Sequence, residues 1–339
     1  MASAPLVEAT RGPARESLHY GAVAIVDSSG RLRYRAGDPG LGLFLRSSAK
    51  PLQAIPLVES GGADRFGLDA RELAVACGSH AAEPEHLAAV RSVLSKAGLD
   101  DEALQCGAHA PGDPVQAAAL VRAGRQPGPI HNNCSGKHAG FVCLACAEGL
   151  DPAGYVGPDH PVQRAVTEAL AQVTGAALGE HNRAIDGCSI PAYAIPLRAL
   201  AFGFARFATG RGLPAERARA AARIRAAVAA NPTMVAGQGR FDTEVMTILG
   251  ARAFTKTGAE GVFCGALPEA GLGIAIKCDD GVGRAAESAT AAVIARILTL
   301  DAAERAFLTR FVRPSLRNWN GIVVGELRPT EVLLGVVEE

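Results

Sequence analysis

Ser47 stands three residues before Lys50 in the run Arg46-Ser47-Ser48-Ala49-Lys50-Pro51, and side chains three apart share one face of a helix. A serine hydroxyl is inert at neutral pH until a base takes its proton. A lysine partly desolvated among other cations is neutral enough to be that base. Pro51 has no amide hydrogen and is tolerated only in a first turn, so a helix is expected to begin near Ser47 or Ser48 with the serine at its positive end. Alone, S-x-x-K equally describes a capping serine beside a solvated lysine. The tripeptide Lys256-Thr257-Gly258 favours the chemical reading, because K-T-G ahead of strands is a second mark of serine acyl enzymes, lining the pocket opposite the nucleophile with an added positive charge. Between the two lies Cys77-Gly78-Ser79-His80, whose serine is the candidate middle member; the full S-D-N form is absent.

The densest chemistry is His131-Asn132-Asn133-Cys134-Ser135-Gly136-Lys137-His138, just before an apolar helix from Phe141 to Leu150. A loop that opens a helix aims backbone N–H groups at anions, so this one suits a carboxylate or an oxyanion, or serves as an elaborate cap. Cys134 and Lys137 repeat the three-residue spacing. So do Cys143 and Cys146, which sit among apolar neighbours as core thiols without further zinc ligands. His80 is either a base facing a cleft or a histidine satisfying core hydrogen bonds. Asp186, in Ala184-Ile185-Asp186-Gly187-Cys188, is turn chemistry on residue types alone. Gly237 to Asp242 bends without the strand and full pattern of a nucleotide loop.

The elements that must position these groups form an α+β pattern. A hairpin is expected from Ala22–Asp27 and Leu32–Tyr34 across Ser28-Ser29-Gly30, with Glu8 to Gly12 ahead of it as a solvated arm or something more. Helices are expected from Pro51 to Gly61 with a bend at Pro56, over 69–97 with a break at Gly78-Ser79-His80, and over 161–173, 193–208 and 214–230. Pro111 to Pro129 reads as a polar loop, a short alanine-rich helix and a connector. A hairpin over 262–278, a helix over 284–298 and a strand near 322–326 complete the chain. Strands at both ends with helices between describe one antiparallel sheet flanked by helices, in a single unit over 1–339 whose helical subregion spans roughly 50–250. With 339 residues, 48% hydrophobic and no formal net charge, the chain builds a sizeable core and offers nucleic acid no basic stripe. Apolar runs are interrupted before the roughly 20 residues that cross a bilayer, and no charged-then-apolar leader opens the chain. A cytoplasmic protein with free thiols, not a disulfide framework, is expected from its eight scattered cysteines.

In combination, Arg-Ser-Ser-x-Lys-Pro at 46–51, Cys-Gly-Ser-His at 77–80, the 131–138 loop, Asp-Gly-Cys at 186–188 and Lys-Thr-Gly at 256–258 resemble the Rhizobium etli-type L-asparaginases, from Glu8-x-Thr-Arg-Gly to Trp319-Asn-Gly. The resemblance implies hydrolysis of L-asparagine to L-aspartate and ammonia, a fold similar to serine β-lactamases and bacterial serine glutaminases, and a homodimer. It implies two serine–lysine pairs, Ser47 with Lys50 and Ser79 with Lys256, and Cys134, Lys137 and Asp186 on the substrate side. His80, Asn133, Thr257 and Gly258 belong to the same substrate-facing motifs. Arg46 and Lys137 suit the α-carboxylate, and Asp186 the α-ammonium. Some relatives bind zinc through two cysteines and a lysine. Here Cys134 and Lys137 match, and Asp242 is expected in place of the second cysteine, a harder ligand that weakens zinc, so no cofactor is required. Two other classes fit parts of the pattern: a related acyl enzyme, glutaminase or penicillin-interacting hydrolase, and a non-catalytic thiol or metal-binding protein.

Overall fold

The apolar run Ala22–Val26 lies inside a long strand, Ala14–Asp27, in which Gly21 to Val26 are all buried. A strand without alternation is one covered on both faces. The computed structural model describes residues 3–335. It divides them into two compact units that composition does not mark: one takes Ser48 and what precedes it, Ile195–Gly212, and Thr255 onward; the other takes Ala49–Ala194 and Leu213–Phe254.

The first unit is built on an eight-stranded sheet in the order Ser315–Arg317, Val323–Pro329, Ala4–Arg11, Ala14–Asp27, Leu272–Cys278, Val262–Leu267, Phe254–Thr257, with Leu32–Ala36 added beside Ala14–Asp27. The pairings along the first six strands are antiparallel. The α+β architecture with an antiparallel sheet is therefore the observed one, and both chain ends supply its strands. The turn at 28–30 is held by Asp27, whose Oδ1 accepts from the Ser29 amide and hydroxyl and from the Arg31 amide, while Gly30 takes the left-handed conformation at φ +88°. The helices Leu197–Thr209 and Gly283–Ile297 pack on this sheet. At Gly273 the contact is backbone to backbone: an added Cβ would lie 2.0 Å from the Ala201 carbonyl oxygen and 2.3 Å from the Ala205 nitrogen.

The second unit is helical. Its main elements are Ala70–Ala76, Pro84–Lys96, Ser135–Ala147, Pro161–Thr174 and Ala215–Ala230. The break at 77–83 falls where Gly78 interrupts the apolar pattern. Arg217 is inside, paired in a two-pronged contact with Glu59 at 2.6 and 2.9 Å.

Three expectations shift. Glu8 to Arg11 belongs to the strand Ala4–Arg11 instead of a solvated arm, because Leu6, Val7, Ala9 and Thr10 are buried while Glu8 pairs with Arg328 on the next strand. The segment expected as a helix from 193 begins as the strand Pro191–Pro196, and the helix starts at Leu197, since the two prolines lack amide hydrogens and Pro196 sits at the N-cap. Beyond Pro51 there are two short helices, Lys50–Gln53 and Ile55–Glu59, because Pro56 cannot donate back into the first. Among the described residues no helix is long and apolar enough to cross a membrane.

Gly273→Ala should lower unfolding free energy by about 3 kcal/mol, since the sheet and helix backbones cannot part without losing their packing. Gly283→Ala, at a helix start with nothing within 4 Å of the new Cβ, should be neutral or gain up to about 1 kcal/mol. Urea unfolding of both variants checks the pair; equal midpoints would show that the close approach at Gly273 is not what holds the helix on the sheet.

Candidate active site

Arg46–Ala49 forms a 3₁₀ turn that runs directly into Lys50–Gln53, with Pro51 in the first turn of the helix. Ser47 is thus one turn ahead of Lys50. Ser48 is fully buried and its hydroxyl donates to the Leu45 carbonyl at 2.5 Å, which leaves half-buried Ser47 as the serine of the two that can meet a substrate. Lys256, Thr257 and Gly258 end the strand Phe254–Thr257 in the first unit. Lys256 is fully buried, and its Nζ donates to the Thr257 carbonyl at 2.8 Å. Gly258 is hydrogen-bonded to the Val262 carbonyl, and a side chain there would press on Val262 at 3.0 Å, so the turn behind Lys-Thr-Gly is tight.

Within the second unit Lys50, Ser79, Asn133, Cys134, Lys137 and Asp186 are brought into one neighbourhood. Two glycines permit it. A Cβ on Gly78 would lie 2.6 Å from the Met234 carbonyl oxygen, and one on Gly136 would lie 2.3 Å from the Val75 carbonyl oxygen. The start of the helix Ser135–Ala147 can therefore lie against the end of Ala70–Ala76, beside the loop that carries Ser79. Lys50, only 1% exposed, donates from Nζ to the Gly78 carbonyl at 2.6 Å and the Asn133 carbonyl at 3.1 Å. Its side chain is also hydrogen-bonded to Cys134, so two carbonyls and one sulfur surround the amine. Ser79 is held by its backbone, whose amide donates to the Val235 carbonyl at 2.7 Å.

Lys137 Nζ lies 3.0 Å from Cys188 Sγ, and the Cys188 thiol is hydrogen-bonded to Cys134. Cys134 Sγ also lies 3.1 Å from the Asn133 side-chain oxygen Oδ1, the acceptor of the pair. Cys188 is thus the second thiol beside Cys134 and Lys137. The expectation that Asp242 takes its place is corrected: Asp242 is buried at the start of the helix Phe241–Leu249, whereas the 186–190 turn delivers the thiol. That turn is closed by hydrogen bonds from Asp186 N to the Ile190 carbonyl and from Ser189 N to the Asp186 carbonyl, both 2.9 Å. Asp186 Oδ2 comes within 3.7 Å of Cys188 Sγ.

The two lysines are driven apart in acidity. Burial lowers the Lys50 pKa, with Lys137 adding to the effect against the opposing pull of Cys134. Lys137 is just as buried, yet Cys134, Cys188 and Asp186 outweigh desolvation and raise its pKa, so it remains an ammonium. Within the thiol pair Cys134 is the more acidic: the hydrogen bond from Cys188 and the two lysines hold its pKa well below the usual thiol range against the cost of burial, and the Cys188 pKa moves upward correspondingly. By contrast, burial pushes the thiols of Cys106, Cys143 and Cys278 up to about 12. A base whose proton affinity is reduced, beside a cation whose charge is secured, is the division of labour an acid–base site needs.

His80 resolves to the second of its two alternatives. Its Nδ1 accepts from the Ala82 amide at 3.2 Å and its Nε2 donates to Ser135 Oγ at 2.9 Å, whose hydroxyl passes on to the Ile130 carbonyl at 2.8 Å. Burial and the neighbouring His86 and Lys50 hold the ring neutral. It ties the Ser79 loop to the Cys134 loop with no ring nitrogen left for a substrate.

Strained backbone flanks the motif residues in each unit. The non-glycine residues with positive φ among the described residues are Arg46, Ala82, Ser189 and Glu260, at +48°, +60°, +76° and +59°. Each lies within three residues of Ser47, Ser79, Cys188 or Gly258, and such conformations cost on the order of 1–3 kcal/mol apiece.

The family match makes the chain an amidohydrolase. The chain belongs to the L-asparaginase II family, whose pattern matches residues 7–329. No curated protein sequence matches it. Among solved structures it is similar to Mglu in its native form (16% identity, 86% of this chain, 63% of that one, TM-score 0.41). It is also similar to a β-lactamase from Mycobacterium bovis (17% identity, 86% and 94%, TM-score 0.38) and a mutant simvastatin synthase from Aspergillus terreus (13% identity, 86% and 90%, TM-score 0.42). The chain spans less than two thirds of the length of Mglu.

If Cys134 carries the charge, its alkylation by iodoacetamide, followed by peptide mass spectrometry, should hold nearly level from pH 8 to pH 6. An ordinary thiol slows about tenfold per pH unit over that range. Lys137→Met, which removes one cation, should restore part of the slope. A tenfold-per-unit decline in the unaltered protein would place the charge elsewhere.

Proposed function

We propose that the protein hydrolyses L-asparagine to L-aspartate and ammonia through an acyl-enzyme on Ser47. The observation that carries this reading is Lys50: a buried amine of lowered proton affinity, hydrogen-bonded to two carbonyls, one turn after a half-buried serine. Ser47 Oγ attacks the side-chain amide carbon while its proton passes to Lys50 Nζ. The tetrahedral centre collapses as the proton held by Lys50 passes by way of Ser79 and Lys256 to the amide nitrogen, and ammonia leaves with Lys50 neutral again. Water then attacks the Ser47 ester, Lys50 taking its proton and handing it to Ser47 Oγ as aspartate departs. Asp186 takes the α-ammonium group, and Arg46, with Lys137 as the fixed cation, takes the α-carboxylate. The Lys137 charge is balanced by Cys134, so the pocket presents a cation without an unpaired buried charge.

The same trio bears on a metal. Among the described residues no three His, Cys, Asp or Glu side chains gather to hold one, so a third donor beside Cys134 and Cys188 has to be the Lys137 amine after it loses its proton. Two thiolates and an amine with a fourth position open fit zinc. Zinc bound there would supply a Lewis acid that polarises a carboxylate or carbonyl oxygen. Lys137 Nζ lies 3.0 Å from Cys188 Sγ, which is in turn hydrogen-bonded to Cys134.

Ammonia release from asparagine, glutamine and simple amides, alongside hydrolysis of a chromogenic β-lactam, tests the substrate class. Asparagine should be preferred, over glutamine by roughly 10–200-fold, the reach of one methylene; β-lactam turnover with no ammonia from any amide would point to the related hydrolases instead. Ser47→Ala should cut kcat by several orders of magnitude, and Lys50→Arg, which cannot deprotonate, should do nearly as much. Asparaginase activity surviving Ser47→Ala within about tenfold would move the nucleophile to Ser79. Enzyme dialysed against chelator should retain activity, and Cys188→Ser should weaken zinc uptake measured by a colorimetric indicator at least about tenfold. Complete, zinc-reversible loss of activity on chelation would make the metal part of the reaction.

A further inference from the structure

The loop between Leu104 and the helix Pro114–Arg122 has no part in the roles assigned so far, yet it is stapled to the loop that carries Cys134. Asn132 Nδ2 donates to the Cys106 and Gly107 carbonyls at 2.9 and 3.0 Å. Cys106 is buried, with its Sγ 3.4 Å from the Pro129 carbonyl. The Gln105 amide donates to the Tyr155 hydroxyl at 2.9 Å, and the Asp113 amide donates to the Ala81 carbonyl at 3.0 Å, two residues beyond Ser79. At the tip is His109, exposed to solvent.

His109 Nδ1 lies 2.7 Å from the Ala110 carbonyl. A carbonyl only accepts, so Nδ1 carries the hydrogen and Nε2 bears the lone pair. That lone pair accepts the Asn133 amide at 2.9 Å. The amides around it are satisfied locally: Asn132 by the Pro129 carbonyl, Ser135 by the Asn132 carbonyl, and Cys134 by Asn132 Oδ1. Asn133 alone in this run takes its partner from another loop. On the other side of the same residue, the Asn133 carbonyl is one of the two acceptors of Lys50 Nζ and also accepts the His80 amide at 3.3 Å.

We propose that His109 is a positioning residue for the amidohydrolase site: by accepting the Asn133 amide it fixes that residue's backbone, and so the carbonyl that orients Lys50. Without the imidazole, water can hydrate the Asn133 amide, but water does not hold its direction. The peptide before Asn133 then turns more freely, the next peptide, which carries the Asn133 carbonyl, is held less firmly, and Lys50 is left with the Gly78 carbonyl and Cys134 as its fixed partners. The effect falls on the proton-transfer steps and not on the groups that recognise the substrate ends.

The proposal rests on Lys50 acting as the base, and two measurements on the full chain separate it from that reading. In ammonia-release kinetics with asparagine, His109→Leu should lower kcat about tenfold while KM changes less than about threefold. His109→Gln should stay within about threefold of the unaltered enzyme, because its Oε1 reaches the place of Nε2 and accepts the same amide. Unchanged kcat in His109→Leu, or an equal loss in both variants, would overturn it. Amide hydrogen exchange at Asn133, measured without substrate, should be at least about tenfold faster in His109→Leu and near the original rate in His109→Gln. Equal protection in all three proteins would overturn the proposal even if no amide were turned over, whereas an unaltered protein inactive on every amide, with the exchange differences intact, would refute only the assigned reaction.

Discussion

Taking the Lys50 amine out of water is the constraint on which the rest of the site depends. An unpaired buried ammonium costs several kcal/mol, so the chain must offer Lys50 partners that compensate for lost hydration without fixing its proton permanently. Two backbone carbonyls, Gly78 and Asn133, do the first part. They accept hydrogens from either form of the amine, whereas a carboxylate in their place would hold the proton in place. Desolvation lowers the proton affinity and the Cys134 thiolate partly restores it. A lowered proton affinity is what the proposed proton transfer asks of Lys50.

Carbonyls used in this way must be delivered by backbone, and backbone approaches that closely only where side chains are missing. Gly78 and Gly136 are those places; neither tolerates a Cβ without moving a carbonyl of the second unit. The left-handed residues Ala82 and Ser189 then turn the chain sharply after Ser79 and Cys188. Strain of this size persists because the surrounding helices, with cores such as Val75, Val90, Val93, Leu94 and Val142, are fully buried and hold the loops from both ends. Rigidity is bought with strain, and the packed helices bear it.

How much of this was legible in the sequence follows from distance along the chain. Ser47 and Lys50 were readable because three residues on one helix fix their relation, and Lys-Thr-Gly because its setting ahead of strands is local. The sheet from both chain ends was readable from its apolar runs, although the first strand, Ala4–Arg11, was obscured by Glu8 and Arg11, whose charges find partners on neighbouring strands or at the rim. Cys188 was visible in the Asp-Gly-Cys motif but had no assigned role. Its relation to Lys137 spans 51 residues, and nothing in spacing marks a long-range contact, so Asp242 was counted into its place. His109 gave no signal at all: a lone histidine in a Gly/Pro-containing loop resembles any solvated side chain until the Asn133 amide is seen to point at it.

The charges of the second unit's cluster carry the argument a step further. Lys50, whose pKa is lowered, and Lys137, whose pKa is raised, stand beside Cys134, held well below the usual thiol range, and Asp186. For the proposed substrate the α-ammonium is matched by the Asp186 carboxylate, while the Lys137 charge is already met by Cys134 and Cys188. When Lys50 takes the Ser47 proton, the new ammonium appears next to the Cys134 thiolate and not next to an uncompensated cation. The thiolate therefore serves two lysines in turn: it keeps Lys137 charged throughout and steadies Lys50 only while the proton is there. A cluster with a neutral thiol at 134 would leave Lys137 and the protonated Lys50 repelling one another in a buried site, and the proton transfer that starts the reaction would run uphill by the energy of that repulsion.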